Sequence, residues 1–230
     1  MIEQPRENRS VVLGVVVAFA CTLTIAISLG LLLSPFFVHN GPTGIDQHIA
    51  EWFAGRRTPM WTHVMWRITW LGSSIVVMPI TALTAIGLWW THRGRLATFL
   101  VVTVVGAALL NSLAKDVVGR NRPPVATRLQ QPHASSFPSG HSTQAAATYV
   151  ALGIVILVLT RSRATRVVAW TIVTGAVIAV GVSRVYLGVH WTTDVIAGWI
   201  VGTAWTLGVT CAFGSLTPKR TAEAATVQAT

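Results

Sequence analysis

The 230-residue chain is 52% hydrophobic and only 10% charged, well short of the roughly one quarter charged residues of a soluble domain. Its formal charge of +10 comes from basic residues gathered at the ends of apolar runs, a pattern with a topological cause that does not mark a nucleic-acid surface. Cys21 and Cys211 each fall inside an apolar run, which supports neither a disulfide framework nor a zinc site.

Residues 1–9 form a short polar head, and the first uncharged run is Ser10–His39. It is long enough to cross a bilayer and is read as a transmembrane helix rather than a cleaved signal peptide. After the turn-rich "HNGPTG", Ile45, Ile49, Trp52 and Phe53 recur at helical spacing. They predict a short amphipathic helix on the outer interface, with Thr43 and Asp46 as a capping pair. Trp52, Trp61, Trp66 and Trp70 suit an interfacial aromatic belt. Five further uncharged runs follow: Ile68–Thr91, Leu96–Ala114, Ser142–Thr160, Val167–Ser183 and Val195–Pro218. Each is close to the about 17–25 residues that span a bilayer as a helix. Pro79 is expected to kink the second span.

The fold expectation is therefore all-α, an integral-membrane bundle of six transmembrane helices. It forms a single domain over residues 1–216, followed by a disordered cytoplasmic tail over 217–230. Gly106, Gly153, Gly175, Gly198 and Gly202 offer small surfaces for helix packing. The pair Gly198 and Gly202 suits either a contact inside the bundle, which is the expectation, or a homodimer. Six spans place both termini on one side. The short loops "THRGR" and "RSRATR" lie on that side and are almost wholly basic, which makes it cytoplasmic by the positive-inside rule. The overall bias is only nine basic residues against eight, so the outer basic residues need a reason of their own.

That reason is chemical. Three polar clusters fall on the outer side: "KDVVGRNRP" from Lys115, "PSGH" from Pro138, and "SRVYLGVHWTTD" from Ser183. They close the third span, open the fourth and bridge the fifth to the sixth, so they meet at one depth. The long irregular loop Gly119–Phe137 joins the first two clusters, and a loop of that length in a compact protein usually serves function. Lys115, Arg122 and Arg184 offer three cations to an oxyanion. Ser139 and Gly140 stand at a helix start, where backbone amides and the helix dipole favour an anion. His190 and Asp194 are four apart and would share a helix face, so the carboxylate fixes one ring nitrogen and frees the other to attack phosphorus. His141 could protonate the leaving oxygen and later activate water. No clustered carboxylates suggest a metal site, so neither a metal nor another cofactor is expected.

The three segments resemble the signature of the type 2 phosphatidic acid phosphatase family, the lipid phosphate phosphatases. Its pattern is K-x6-R-P, then P-S-G-H, then S-R-x5-H-x3-D. Lys115, Arg122 and Pro123 match the first part, Pro138–His141 the second, and Ser183, Arg184, His190 and Asp194 the third. The resemblance implies a metal-free phosphohistidine mechanism. In it His190 is the nucleophile, Asp194 its orienting partner and His141 the acid. Lys115, Arg122, Ser139, Gly140 and Arg184 would hold the phosphate.

The implied substrate is a lipid phosphomonoester or diphosphate of the polyprenyl diphosphate, phosphatidic acid or phosphatidylglycerophosphate type, taken from the outer membrane face. A phosphotransferase using the same intermediate is one alternative. A non-enzymatic anion channel or transporter is another. Outside the motif positions, Asp116 is expected to pair with Arg120, and Arg128 and His133 to be solvated loop residues. His39, His48, His63 and His92 read as interfacial polar groups.

Overall fold

Inside a bilayer no water is present to hydrogen-bond a peptide group, so an apolar chain must satisfy its backbone within each segment. The computed structural model describes residues 4–38, 44–124, 128–130, 134–214 and 216, and among them every regular element is a helix. The order is α1 (Gln4–Val38), α2 (Gly44–Ala54), α3 (Pro59–Trp70), α4 (Ser74–Trp90), α5 (Gly94–Val118), α6 (Gly140–Leu159), α7 (Arg163–Tyr186) and α8 (Thr192–Phe213). Thr43 and the tail 217–230 lie outside the described residues.

Five helices are long and apolar enough to cross a membrane, namely α1, α5, α6, α7 and α8. The pair α3 and α4, bent by 40° at a short break, makes a sixth when it is counted as one broken span. The break falls at Leu71–Ser73, and Pro79 lies inside continuous α4. The expected kink at Pro79 is thus replaced by an interruption about two turns earlier. A local cause is visible at Gly72. A Cβ there would lie 2.8 Å from the carbonyl oxygen of His141 and 2.6 Å from Val180. Only a glycine lets this corner press against the first turn of α6.

Large apolar side chains such as Val12, Leu32, Leu83, Trp90 and Ile172 are exposed on the outside of the helices. A water-soluble protein would bury such a surface, whereas lipid covers it at no cost. Trp52, Trp61 and Trp70 are exposed, while Trp66 packs on Tyr186, Leu187 and Val189 instead.

Helices in lipid gain little from the hydrophobic effect when they pair, so close backbone approach decides their packing. Gly198 and Gly202 on α8 face α6. Their missing Cβ atoms would meet the carbonyl oxygen of Ser139 at 2.9 Å and that of Thr143 closer still. The small-residue pair is thus a contact inside the bundle, and it docks α8 against the start of α6. At Gly175, by contrast, an added Cβ would have no neighbour within 4 Å. That glycine sits on an exposed face of α7, so it is no packing surface.

Gly202→Leu should cost about 1–3 kcal/mol by overpacking and lower the melting temperature of the detergent-solubilised protein. Gly175→Ala should leave stability unchanged or raise it by up to about 1 kcal/mol, the helix-propensity difference. Equal melting temperatures for Gly202→Leu and wild type would contradict this packing.

Candidate active site

α5 ends at Gly119, whose φ of 62° is the left-handed conformation that closes a helix. The chain then crosses the end of the bundle and re-enters as α6 at Gly140. Backbone and side-chain bonds fix the described parts of this crossing. The Ser136 amide donates to Arg120 O at 2.8 Å, the Leu129 amide to Leu187 O at 3.0 Å, and the Ser139 amide to Asp194 O at 3.1 Å. The Trp191 indole donates to Asn121 O at 3.0 Å. On α5, Asn111 donates to Pro138 O and to the Thr143 hydroxyl, each at 3.3 Å. Asn111 lies one turn before Lys115, on the same helix face.

The three clusters that the sequence separates are thereby brought together. Arg122 Nη1 lies 3.2 Å from His190 Nε2 and donates to Val189 O at 2.6 Å. Its other nitrogens donate to Ala134 O at 2.8 Å and Ser135 O at 3.1 Å. Lys115 donates to Ser135 O at 2.6 Å. Arg184 donates to the Thr69 hydroxyl at 2.8 Å and to Gln130 Oε1 at 3.3 Å. Its Nε is buried with no hydrogen-bond partner among the described residues, a donor that a bound anion would satisfy. Lys115, Arg122, Arg184 and His190 are the charged and titratable neighbours of His141.

His190 and Asp194 do face each other, but not across a helix. α8 begins at Thr192, and Asp194 in its first turn accepts from the Trp191 amide at 2.9 Å. His190 precedes the helix and turns its Nδ1 to within 3.5 Å of Asp194 Oδ2. The tautomer follows from the neighbours. An arginine can only donate, so Nε2 must present a lone pair to Arg122 and the proton sits on Nδ1, toward Asp194. Asp194 is fully buried. It is also held by the Ser136 hydroxyl and by the guanidinium of Arg120.

Burial pushes the His190 ring down to about 3, with Arg184 and Arg122 acting the same way against the opposing pull of Asp194. The ring is therefore neutral at ordinary pH. Burial also lowers Arg122 to about 10, which leaves it charged.

Ser139 makes two local bonds. Its amide is taken by Asp194 O, and its hydroxyl caps α6 by accepting from Ser142. Gly140 and His141 head the helix, where no intrahelical carbonyl can reach their amides. A Cβ on Gly140 would stand 3.1 Å from Asn111 and 4.0 Å from Lys115 Cε.

Arg120 is buried against Asp194 and Asp46, while its expected partner Asp116 is exposed. Arg128 is half-buried and donates to Pro123 O rather than standing free in solvent. His39 and His133 fall outside the described residues. Asn111, Thr69, Gln130, Ser136 and Asp46 complete the surroundings without being foreseen. Asn111 and Asp46 carried a usable signal, a lone amide within an apolar run and one of only seven acidic residues.

The profile of the PAP2 superfamily matches residues 96–217. Phosphatidylglycerophosphatase B of Bacillus subtilis (strain 168) is 34% identical over 176 residues, covering 75% of this chain and 85% of the relative. An undecaprenyl-diphosphatase of Sulfolobus acidocaldarius is 36% identical over 138 residues, covering 57% of this chain and 60% of its own. A crystal structure of a transmembrane PAP2 type phosphatidylglycerolphosphate phosphatase from Bacillus subtilis superimposes with a TM-score of 0.73 at 28% identity. That match covers 83% of this chain and 94% of the other.

Histidine-labelled protein in detergent, with the His190 signal assigned by its loss in His190→Gln, should show this ring neutral with its proton on Nδ1 from pH 7 down to pH about 5, because its folded value is displaced downward. A midpoint near the ordinary histidine value of about 6.5 would contradict the buried, cation-flanked geometry.

Proposed function

The chain belongs to the PAP2 superfamily, and we propose that it hydrolyses a lipid phosphate through a phosphohistidine formed on His190. One observation carries the reading. His190 Nδ1 lies 3.5 Å from Asp194 Oδ2 and its Nε2 lies 3.2 Å from the Arg122 guanidinium, with Lys115 and Arg184 adding positive charge to the same site.

A phosphate entering this site takes over the Arg122 donor and releases the Nε2 lone pair. Nε2 attacks phosphorus, the bond from phosphorus to the lipid oxygen breaks, and His141 gives that oxygen its proton. His141 then accepts a proton from water as the water oxygen attacks phosphorus. The P–N bond breaks, and inorganic phosphate leaves. Throughout, Nδ1 keeps its proton toward Asp194, whose negative charge stabilises the cationic phosphoimidazole ring. Lys115, Arg122 and Arg184 supply the positive charge that the phosphoryl oxygens need, with the Gly140 and His141 amides at the α6 terminus adding to it. The Ser139 hydroxyl acts by capping that terminus.

The substrate is a lipid whose head enters this site while its tail stays against the apolar outer faces of the helices. Polyprenyl diphosphates, phosphatidic acid and phosphatidylglycerophosphate fit that description, and the names of the two relatives speak of lipid phosphates of this kind. The α4–α5 and α6–α7 connections carry Arg93, Arg95, Arg161 and Arg163 at the bundle end opposite the site. The positive-inside rule therefore supports cytoplasmic termini and an extracytoplasmic site.

Purified protein should release phosphate from at least one of these three lipid classes, at the same rate with or without EDTA. His190→Ala should lose at least about a thousandfold in kcat and His141→Ala about 10²–10⁴-fold. Full activity in His190→Ala, or loss of activity with EDTA, would overturn the mechanism.

A further inference from the structure

We infer that Asp46 and Arg120 are positioning residues of this reaction, which makes the short helix α2 a working part of the site; the inference rests on the phosphohistidine reading above. Neither residue belongs to the three motif positions that touch phosphate or the reacting ring. Arg120 lies in the variable stretch of the first motif, and Asp46 is 69 positions earlier than Lys115. Both are buried, with side chains 4% and 0% exposed.

The geometry forms a chain of charges. Asp46 Oδ2 accepts from Arg120 Nη2 at 2.9 Å and from the Thr193 hydroxyl at 2.6 Å. Asp46 Oδ1 accepts from the Thr193 amide at 3.0 Å. Arg120 Nη1 donates to the Thr193 oxygen at 2.8 Å and to Asp194 Oδ1. Asp194 Oδ2 faces His190 Nδ1. The guanidinium thus bridges two carboxylates, one from α2 and one from α8, and the Thr193 hydroxyl joins both.

This bridge meets two conflicting demands. Asp194 must be anchored rigidly, because a buried carboxylate that drifts cannot hold the ring in one tautomer. An arginine anchors it well. An arginine alone would also neutralise Asp194 and weaken its stabilisation of the cationic phosphoimidazole ring. Asp46 offsets that. Two carboxylates against one guanidinium leave the cluster one negative charge in excess, next to the ring that becomes positive. A buried ion pair serving only stability is a poor explanation, since such pairs usually break even against apolar replacements.

The test is a double-mutant cycle on the full chain in detergent, with dioctanoyl phosphatidic acid as substrate and kcat and KM read separately. Asp46→Asn removes one of the two carboxylates that face Arg120, so kcat should fall about tenfold while KM stays within about twofold. Asp46→Asn/Arg120→Gln restores the negative excess and should be faster than Asp46→Asn alone, a non-additive rescue read in kcat at unchanged KM rather than in stability. Thr193→Val, nearly isosteric, removes only the joining hydroxyl and should lower kcat about threefold. It is the variant to read if Asp46→Asn does not give a symmetric size-exclusion peak.

A wild-type kcat in Asp46→Asn or Thr193→Val, a double variant no faster than Asp46→Asn, or an effect confined to KM overturns the inference. Wild-type protein that releases no phosphate from any of the three lipid classes sinks the functional reading beneath it. An active wild type with an unaffected Asp46→Asn sinks this inference alone.

Discussion

A single buried carboxylate, Asp194, organises the working end of this protein. Its two oxygens receive the Arg120 guanidinium, the Ser136 hydroxyl and the Trp191 amide, and one of them faces the His190 ring. Its own backbone carbonyl receives the Ser139 amide. The donors come from three stretches of chain, so one residue ties together the crossing loop, the head of α6 and the start of α8. Removing one partner of such a buried ion pair typically costs about 3–5 kcal/mol, because the other charge is left uncompensated. The position of the histidine is therefore fixed by the same contacts that hold the loop in place.

The apolar bundle gives this cluster its strength. Helices in lipid must pack by shape, and Gly198 and Gly202 bring α8 onto the first turns of α6 with almost no side chain between them. Gly72 does the same for the corner between α3 and α4, against the His141 carbonyl. Lys115, Arg122, Arg184, His141 and His190 consequently arrive at one end of the bundle with little freedom. In a low-dielectric setting, charges held in place in this way interact more strongly than they would in water and need no reorganisation during reaction.

Much of this was legible in the sequence, for a physical reason. Membrane helices have only one set of ends per face, so polar clusters at the ends of apolar runs must meet, however far apart in the chain. Lys115, Arg122, Arg184, His141, His190 and Asp194 converge as that logic requires. The reasons behind individual contacts were less legible. His190 and Asp194 meet through an N-terminal cap rather than along a helix face, and a spacing of four fits both. Arg120 looked like a partner for Asp116 because i, i+4 spacing is the only pairing rule a sequence displays. Its buried partners lie 74 positions away on either side. Pro79 drew attention from the break at Leu71–Ser73, which depends on a close approach by α6 that no local pattern records. The amide of Ser139 stood at a helix start, as expected for an anion site, but only the fold shows that Asp194 already occupies it.

The central claim is that phosphorus passes to His190 before it passes to water. Two successive in-line displacements each invert the phosphorus centre, so together they retain its configuration. Hydrolysis of a lipid phosphorothioate made chiral at phosphorus with oxygen isotopes, in isotopically labelled water, reads this directly. Net retention in the released thiophosphate is the result this account predicts. Net inversion would mean that water attacks the substrate in a single step, and would contradict it.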